Sequence, residues 1–535
     1  MPNSRGGKMR AAVPPPDAYQ PRRFRRARLR AARRRFAAVC VLAAIVLAVV
    51  WIAHLFAPHP KPAVVVEPTP RPPAFASTFI RGGSPLPARQ TREIAGIAAG
   101  VFGNGNYPAS TSVVIEDARS GARLYTRNAN GALTPASVLK LVVAATALRD
   151  LGPAYRFKTR FVTAQAPHGN AITGPLWFVG GGDPELTSAD LRREVAAMRA
   201  SGIVRIEGDV IADGSLFGPD EVNPTWAPDD LEYGYAALTS AVTMDGGTAQ
   251  FTITPNANGG AANVHVDPDS IAGDVVGSIR TASSDAQNTL RIDPLPDGGG
   301  FQVAGEIPYG APQKYWRSLS NPTQSAAIAL KAMLVKAGIA VGGDATVGTA
   351  PKDGVAIWTK ESRPLTAIIR RMMFDSDNHI AEQLLRSVGA QRFGVGTLAD
   401  GLAAERDHLQ EIGVPGAGQG LADGSGLSPA NRIDAQTVAT VLRELVSGPD
   451  AAQIAGLLPR VGMDGTVHVR NLAPDARGRV LGKDGYIEGV SSLAGYVKTA
   501  HHGVVIYAFL VNGWEHGLDS VWAGEDGLLS RLSRY

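Results

Sequence analysis

The run TPASVLKLVVAATAL, residues 134–148, constrains the fold more than any other stretch of the chain. Val138, Leu139, Leu141, Val142, Val143 and Leu148 are apolar, with Ala144, Ala145 and Ala147 between them, so a helix here has no polar face. Such a helix is stable only when enclosed on every side. Lys140 nevertheless sits in its first turn, three residues after Ser137. An ammonium has no place in such a helix unless its head snorkels to the surface or it carries a chemical task.

The spacing suits a task. Residues three apart on a helix share a face and come within hydrogen-bond reach. Apolar surroundings disfavour the charged amine and lower its pKa. A neutral amine can take the proton of the Ser137 hydroxyl, which is otherwise a poor nucleophile. A serine near a helix N-terminus also directs its oxygen at the positive end of the dipole. Of the eleven lysines, only Lys140 has a serine three positions earlier.

Charge distribution excludes one class of function. The net charge is +5, but residues 1–35 hold twelve Arg and Lys against the single acid Asp17, and the remainder is mildly acidic. A nucleic-acid-binding body is therefore not expected. Residues 1–35 read as a basic cytoplasmic tail. Phe36–Phe56 follows, 21 residues without a formal charge, which is long enough to cross a bilayer. Cations before it and few after it predict an uncleaved signal anchor. The protein is then single-pass in the cell membrane, with its body on the outer side. Residues 57–88 are proline-rich and read as a stiff linker. The only cysteine, Cys40, lies inside the apolar segment, so intramolecular disulfides and cysteine chemistry in the body are excluded.

The body reads as α+β. A first part, 89–157, carries the helix TREIAGIAAGVF, strands TSVVIEDA and ARLYTRN around the turn RSG, and the buried helix. Residues 158–319 alternate short strands with Gly, Asn, Asp and Pro and read as a β-rich insertion with one helix, SADLRREVAAMRASG. Residues 320–535 begin helical at SNPTQSAAIALKAMLVKAG, include IDAQTVATVLRELVSG with Asp434 as N-cap, and close with strands GYIEGVSSLAGYVKT and GVVIYAFLVNG around His501–Gly503. Strands at both ends imply one domain built from the two ends and interrupted by the insertion.

Two further groups carry chemistry. DSDNHI places Ser376-Asp377-Asn378 between helical stretches, where a hydroxyl and an amide can be aimed at one point or can simply cap a helix. GKDGYIEGVSSLAGY has Lys483-Asp484-Gly485 opening a strand, with Gly485 permitting close approach of a bound group. Ser-x-x-Lys, Ser-x-Asn and Lys-x-Gly in this order resemble the penicillin-recognising serine enzymes. The stretches LWFVGGGDPELT, GDVIADGSLF, DDLEYGYAA, LADGSGLSPANRI and GMDGTV, and the long interval between Ser137 and Ser376, are similar to the D-alanyl-D-alanine carboxypeptidase/endopeptidase family, the class C low-molecular-mass penicillin-binding proteins.

The resemblance implies a transpeptidase-like antiparallel sheet packed with helices, no metal and no cofactor. It implies peptidoglycan stem peptides as substrates and β-lactams as acylating inhibitors. Ser137 would form the acyl-enzyme with Lys140 as base. Ser376, assisted by Lys483, would pass the proton to the leaving amine. Asn378 would hold the substrate amide, and the N–H groups of Ser137 and Tyr486 would form the oxyanion hole beside Gly485.

One position departs from the family. Its strand motif is Lys-Thr-Gly, whose hydroxyl holds the substrate's terminal carboxylate, and here Asp484 stands in the middle. Like charges about 4 Å apart at an effective dielectric near 20 repel by about 4 kcal/mol. Weak carboxypeptidase activity and weak penicillin acylation follow as expectations, with internal cross-links or another substrate class preferred. A catalytically silent cell-wall scaffold, or a related esterase or β-lactamase, is the alternative. Other candidates are blander: FVGGGDPEL lacks the Gly-Lys-Ser/Thr of a phosphate loop, the ten histidines show no metal-ligand spacing, and Asp423 and Ser425 fit a turn as well as a site.

Overall fold

The two ends of the chain build one sheet. Ser112–Asp117 (β1), Arg123–Arg127 (β2), Val480–Ile487 (β3), Val490–Lys498 (β4) and Val504–Asn512 (β5) pair antiparallel in the order β3-β4-β5-β1-β2. The computed structural model describes residues 86–219, 222–257, 259–268, 274–296, 299–415 and 420–535. The chain divides into Met1–Arg71 and Pro72–Tyr535, and the described residues all belong to the second unit. The basic tail, the apolar segment Phe36–Phe56 and nearly all of the linker lie outside them. No helix among the described residues is long and apolar enough to cross a membrane.

Helices Ala88–Phe102 (α1), Lys140–Asp150 (α2), Leu365–Asp375 (α3), Asn378–Phe393 (α4), Leu398–Glu411 (α5), Ala435–Leu445 (α6) and Leu518–Leu532 (α7) belong to the same domain. The sheet is covered on both faces, which is why β5 reads as an unbroken apolar run. Val505, Tyr507, Phe509 and Val511 join the core of α1 and α7, while Val504, Ile506, Ala508 and Leu510 join the core around α2. Period-two alternation of side chains divides the strand between the two cores. The helix α2 is enclosed as its composition demands, with every residue from Lys140 to Ala147 buried. Asp434 does cap α6, accepting from the Thr437 N–H at 2.6 Å.

Three boundaries differ from the sequence reading. Ser137 is not in the α-helix itself: Ala136–Leu139 is a 3₁₀ turn, and the α-helix starts at Lys140. The stretch GYIEGVSSLAGYVKT is a hairpin, not one strand, because Gly489 turns the chain with φ 76° between β3 and β4. Lys483-Asp484-Gly485 consequently lies within β3 rather than at its opening. The insertion also runs past residue 319. The helix Pro322–Lys336 packs on the strand Val210–Asp213, and Val355–Glu361 pairs with Lys158–Thr163 in a five-stranded sheet of the insertion. The chain rejoins the α2 core at Leu365. Amphipathic spacing marks Pro322–Lys336 as a helix but cannot say which core it serves.

Phe509 is fully buried, its ring 5.1 Å from that of Phe102 and 5.2 Å from that of Tyr507. It lies on the sheet face away from α2. Phe509→Ala should lower unfolding free energy by about 3–5 kcal/mol in denaturant titration, the usual cost of emptying such a site, while the folded fraction keeps its reactivity at Ser137.

Candidate active site

Ser137 is presented by a tight backbone passage. Ala136 takes φ 47°, unusual for a residue with a side chain, and two glycines flank it. A Cβ on Gly426 would lie 1.9 Å from the Ala136 carbonyl oxygen, and one on Gly485 would lie 2.8 Å from the Ser137 nitrogen. Only glycine fits at either place. β3 is thereby brought against the Ser137 backbone. The outer edge of β3 is covered by Pro459–Val461 up to Gly482, through Gly482 N–H to Pro459 O at 3.0 Å and Val461 N–H to Val480 O at 3.0 Å. From Lys483 onward that edge faces the serine.

Lys140 is fully buried, and its Nζ lies 2.9 Å from Ser137 Oγ, 2.7 Å from Asn378 Oδ1 and 2.7 Å from the Ser425 carbonyl oxygen. Burial is the main cause that lowers its pKa to about 7, and the Lys483 charge adds to it; Asp423, Glu382 and Asp377 oppose the shift in part. The three contacts suit both protonation states. As an ammonium, Lys140 donates three hydrogen bonds. As an amine, it still donates to Asn378 and Ser425 and accepts from the Ser137 hydroxyl. The proton can therefore cross from Ser137 to Lys140 without rearrangement of the site.

Ser376 ends α3 in the left-handed conformation, φ 56°, and its N–H donates to the Met372 carbonyl. Asp377 caps α4, accepting from the Ile380 N–H at 3.0 Å. Asn378 then emerges at the first turn of α4. Its Oδ1 meets Lys140, while its Nδ2 donates to the Tyr235 carbonyl at 2.9 Å, a residue of the insertion. Ser376, Asn378 and Tyr235 line a cavity of about 880 Å3 between the insertion and the main domain.

Lys483 is fully buried, yet its Nζ donates to the carbonyl and to Oδ1 of Asp484, both at 2.8 Å. Among the described residues no hydrogen bond joins it to Ser376. Burial raises the pKa of Asp484, but the Lys483 charge and hydrogen bonds from Lys483 and Thr466 outweigh it and hold the carboxyl below its ordinary value. The expected repulsion from a bare aspartate is thus offset by an ion pair. Tyr486, by contrast, is 56% exposed.

Of the acids behind Lys140, Asp423 was a candidate from sequence, while Glu382 and Glu405 were not. Glu382 is buried on α4, where its Oε1 accepts from the N–H groups of Gly424 at 3.1 Å and Ser425 at 2.8 Å. It therefore fixes the turn whose Ser425 carbonyl holds Lys140. Burial, then Asp423, raises its pKa to about 7. Asp423 organises the same turn through Gly426, Ser428, Asn431 and Trp226. Ser425 thus touches the site through its carbonyl rather than its hydroxyl. Glu405, also buried, has no hydrogen-bond partner for either oxygen among the described residues, and burial holds its pKa well above the ordinary value. Spacing offered one signal: Glu382 stands four residues after Asn378 and so on the same helix face.

A serine hydroxyl bonded to a buried lysine whose pKa is lowered to about 7, with Ser376 two residues before the Asn378 that meets the same lysine, fits a serine hydrolase of the Ser–Lys type. The chain belongs to the D-Ala-D-Ala carboxypeptidase 3 (S13) family, which it matches over residues 105–533. It is 33% identical over 442 residues to the D-alanyl-D-alanine carboxypeptidase of an Actinomadura species, covering 80% of this chain and 82% of that one. It is 27% identical over 405 residues to a D-alanyl-D-alanine carboxypeptidase of Haemophilus influenzae, covering 73% and 82%. The crystal structure of penicillin-binding protein 4 from Haemophilus influenzae superimposes with a TM-score of 0.73 at 25% identity, over 83% of this chain and 99% of that chain. The same protein complexed with a β-lactam gives 0.68. The α+β fold with its insertion is that of the penicillin-binding proteins.

A base whose pKa is depressed to about 7 is competent only above it. The rate of Ser137 acylation should therefore rise about tenfold per pH unit below 7 and level off above about 8. Lys140→Arg, which cannot deprotonate in this range, should lose about 100- to 10,000-fold and lose the titration with it. A flat profile between pH 5 and 9 would contradict Lys140 as the base.

Proposed function

We propose that this serine-type D-Ala-D-Ala carboxypeptidase/endopeptidase hydrolyses peptidoglycan stem peptides or their cross-links through an acyl-enzyme on Ser137. The observation that carries this reading is the convergence of Ser137 Oγ, Asn378 Oδ1 and the Ser425 carbonyl on Lys140 Nζ. Neutral Lys140 takes the Ser137 proton as Oγ attacks the D-Ala carbonyl. The oxyanion forms between the N–H groups of Ser137 and Tyr486, with Gly485 permitting the approach. Asn378 holds the substrate amide, and Ser376 hands a proton to the leaving amine with Lys483 nearby. Water then releases the acyl group. β-Lactams enter the same path and acylate Ser137.

We further propose that Phe36–Phe56 anchors the protein in the cell membrane with the body outside, on the support of the cations that precede an uncharged span. The second functional reading is a catalytically silent scaffold of the cell wall. It is favoured by one observation: Lys483 is engaged by Asp484 instead of Ser376.

Labelling with a fluorescent penicillin, read by gel and by mass spectrometry of the labelled peptide, separates the two. The enzyme reading predicts slow labelling that maps to Ser137 and vanishes in Ser137→Ala. Absence of both label and peptide hydrolysis at any pH from 5 to 9 would leave the scaffold.

A further inference from the structure

Asp484 lies on the β3 edge that faces Ser137, so the leaving residue of a substrate attacked there passes beside it. It directly precedes Gly485, whose α-carbon is pressed against the Ser137 nitrogen, and its side chain remains 27% exposed beside a fully buried Lys483. A free carboxylate bound here would need donors. Two are at hand, the Lys483 ammonium and the Thr466 hydroxyl, and both are turned onto Asp484: Lys483 Nζ lies 2.8 Å and Thr466 Oγ1 2.5 Å from Oδ1. A hydroxyl has a single hydrogen to give, so Thr466 is spent. Lys483 and Asp484 together carry no net charge. Both side-chain bonds end on Oδ1, and among the described residues no hydrogen bond from another side chain reaches Oδ2. Lys483 keeps a third N–H, but its side chain is fully buried while that of Asp484 is 27% exposed, so what meets an incoming group first is a carboxylate oxygen, an acceptor.

The leaving residue of a D-Ala-linked bond, an α-amino acid, carries a carboxyl on the carbon next to the departing amine. Only one common form of that carboxyl is both neutral and able to donate: the amide. We propose that Asp484 makes this enzyme select leaving residues whose α-carboxyl is blocked as an amide, primary or peptide-extended, over residues with a free C-terminal carboxylate. The inference rests on the serine-hydrolase reading and names its substrate class. The step is unchanged: the peptide C–N bond breaks, the Ser137 Oγ–acyl bond forms, the hydroxyl proton reaches the leaving amine through the site, and water cleaves the ester. Specificity arises because a buried donor-acceptor mismatch is rejected far more strongly than a missing contact. Thr466, from a 3₁₀ turn that the strand motif does not include, becomes a positioning residue for the acceptor.

The test uses the full-length chain and two N-acylated D-Ala-D-Ala peptides that differ only at the C-terminus, free acid against carboxamide. Release of D-alanine or D-alaninamide gives kcat/KM for the parent, Asp484→Thr, Asp484→Asn and Ser137→Ala. The parent should favour the amide by about tenfold or more, the scale of one charge-assisted hydrogen bond. Asp484→Thr should reverse the preference, and the near-isosteric Asp484→Asn should flatten it. Equal rates, or preference for the acid by the parent, overturn the inference while leaving the serine hydrolase standing. Cleavage of neither peptide by the parent or the Asp484 variants overturns the hydrolase reading and this inference with it.

Discussion

The burial of one ammonium-bearing side chain organises this molecule. Lys140 lies at the start of a helix with no polar face, in a core where its charged form is disfavoured. The cost is met by three convergent contacts from distant parts of the chain: the turn before α2, the start of α4 and the turn at Ser425. Each contact requires a particular local geometry. Ala136 adopts a positive φ, Ser376 ends its helix in the left-handed region, and Gly426 and Gly485 lack the side chains that would strike the Ser137 segment. Strain of this kind is retained where surrounding packing enforces it, and functional sites are where it collects.

The insertion enters the site through a backbone atom. The Tyr235 carbonyl receives Asn378 Nδ2, so the amide that faces Lys140 is oriented from both sides. Glu382 acts at one remove, holding the turn that offers the Ser425 carbonyl. A buried acid with a pKa near 7 behind a lysine with a pKa near 7 means that the charge of the whole cluster is sensitive to pH in the same range.

Some of this was legible in the chain. An apolar helix with one lysine in it declared both its burial and its partner Ser137, because composition and spacing determine that much. Ser376 and Asn378 stand together in sequence, so the family pattern found them. Thr466 and Tyr235 fall in the stretches GMDGTV and DDLEYGYAA that carry the resemblance, but nothing in those stretches gives either a part in the site: they meet it through tertiary contacts, one of them through a backbone atom. The hairpin at Gly489 was hidden because its turn is only Glu488–Gly489, with Ile487 and Val490 directly on either side. The extent of the insertion was misread because hydrophobic periodicity identifies a helix but not the core it packs on. Asp484 was legible as a departure, while its ion pair with Lys483 required the geometry of β3.

The chemistry depends on Lys140 being a neutral amine at the pH where the enzyme works. Carbon-13 labelling of the lysine ε-carbons, followed by NMR across pH 5 to 11, measures this directly, with the Lys140 signal assigned by its loss in Lys140→Arg. Lys140 should titrate near pH 7, apart from the exposed lysines near 10.4. A Lys140 signal that titrates with the exposed lysines would contradict it.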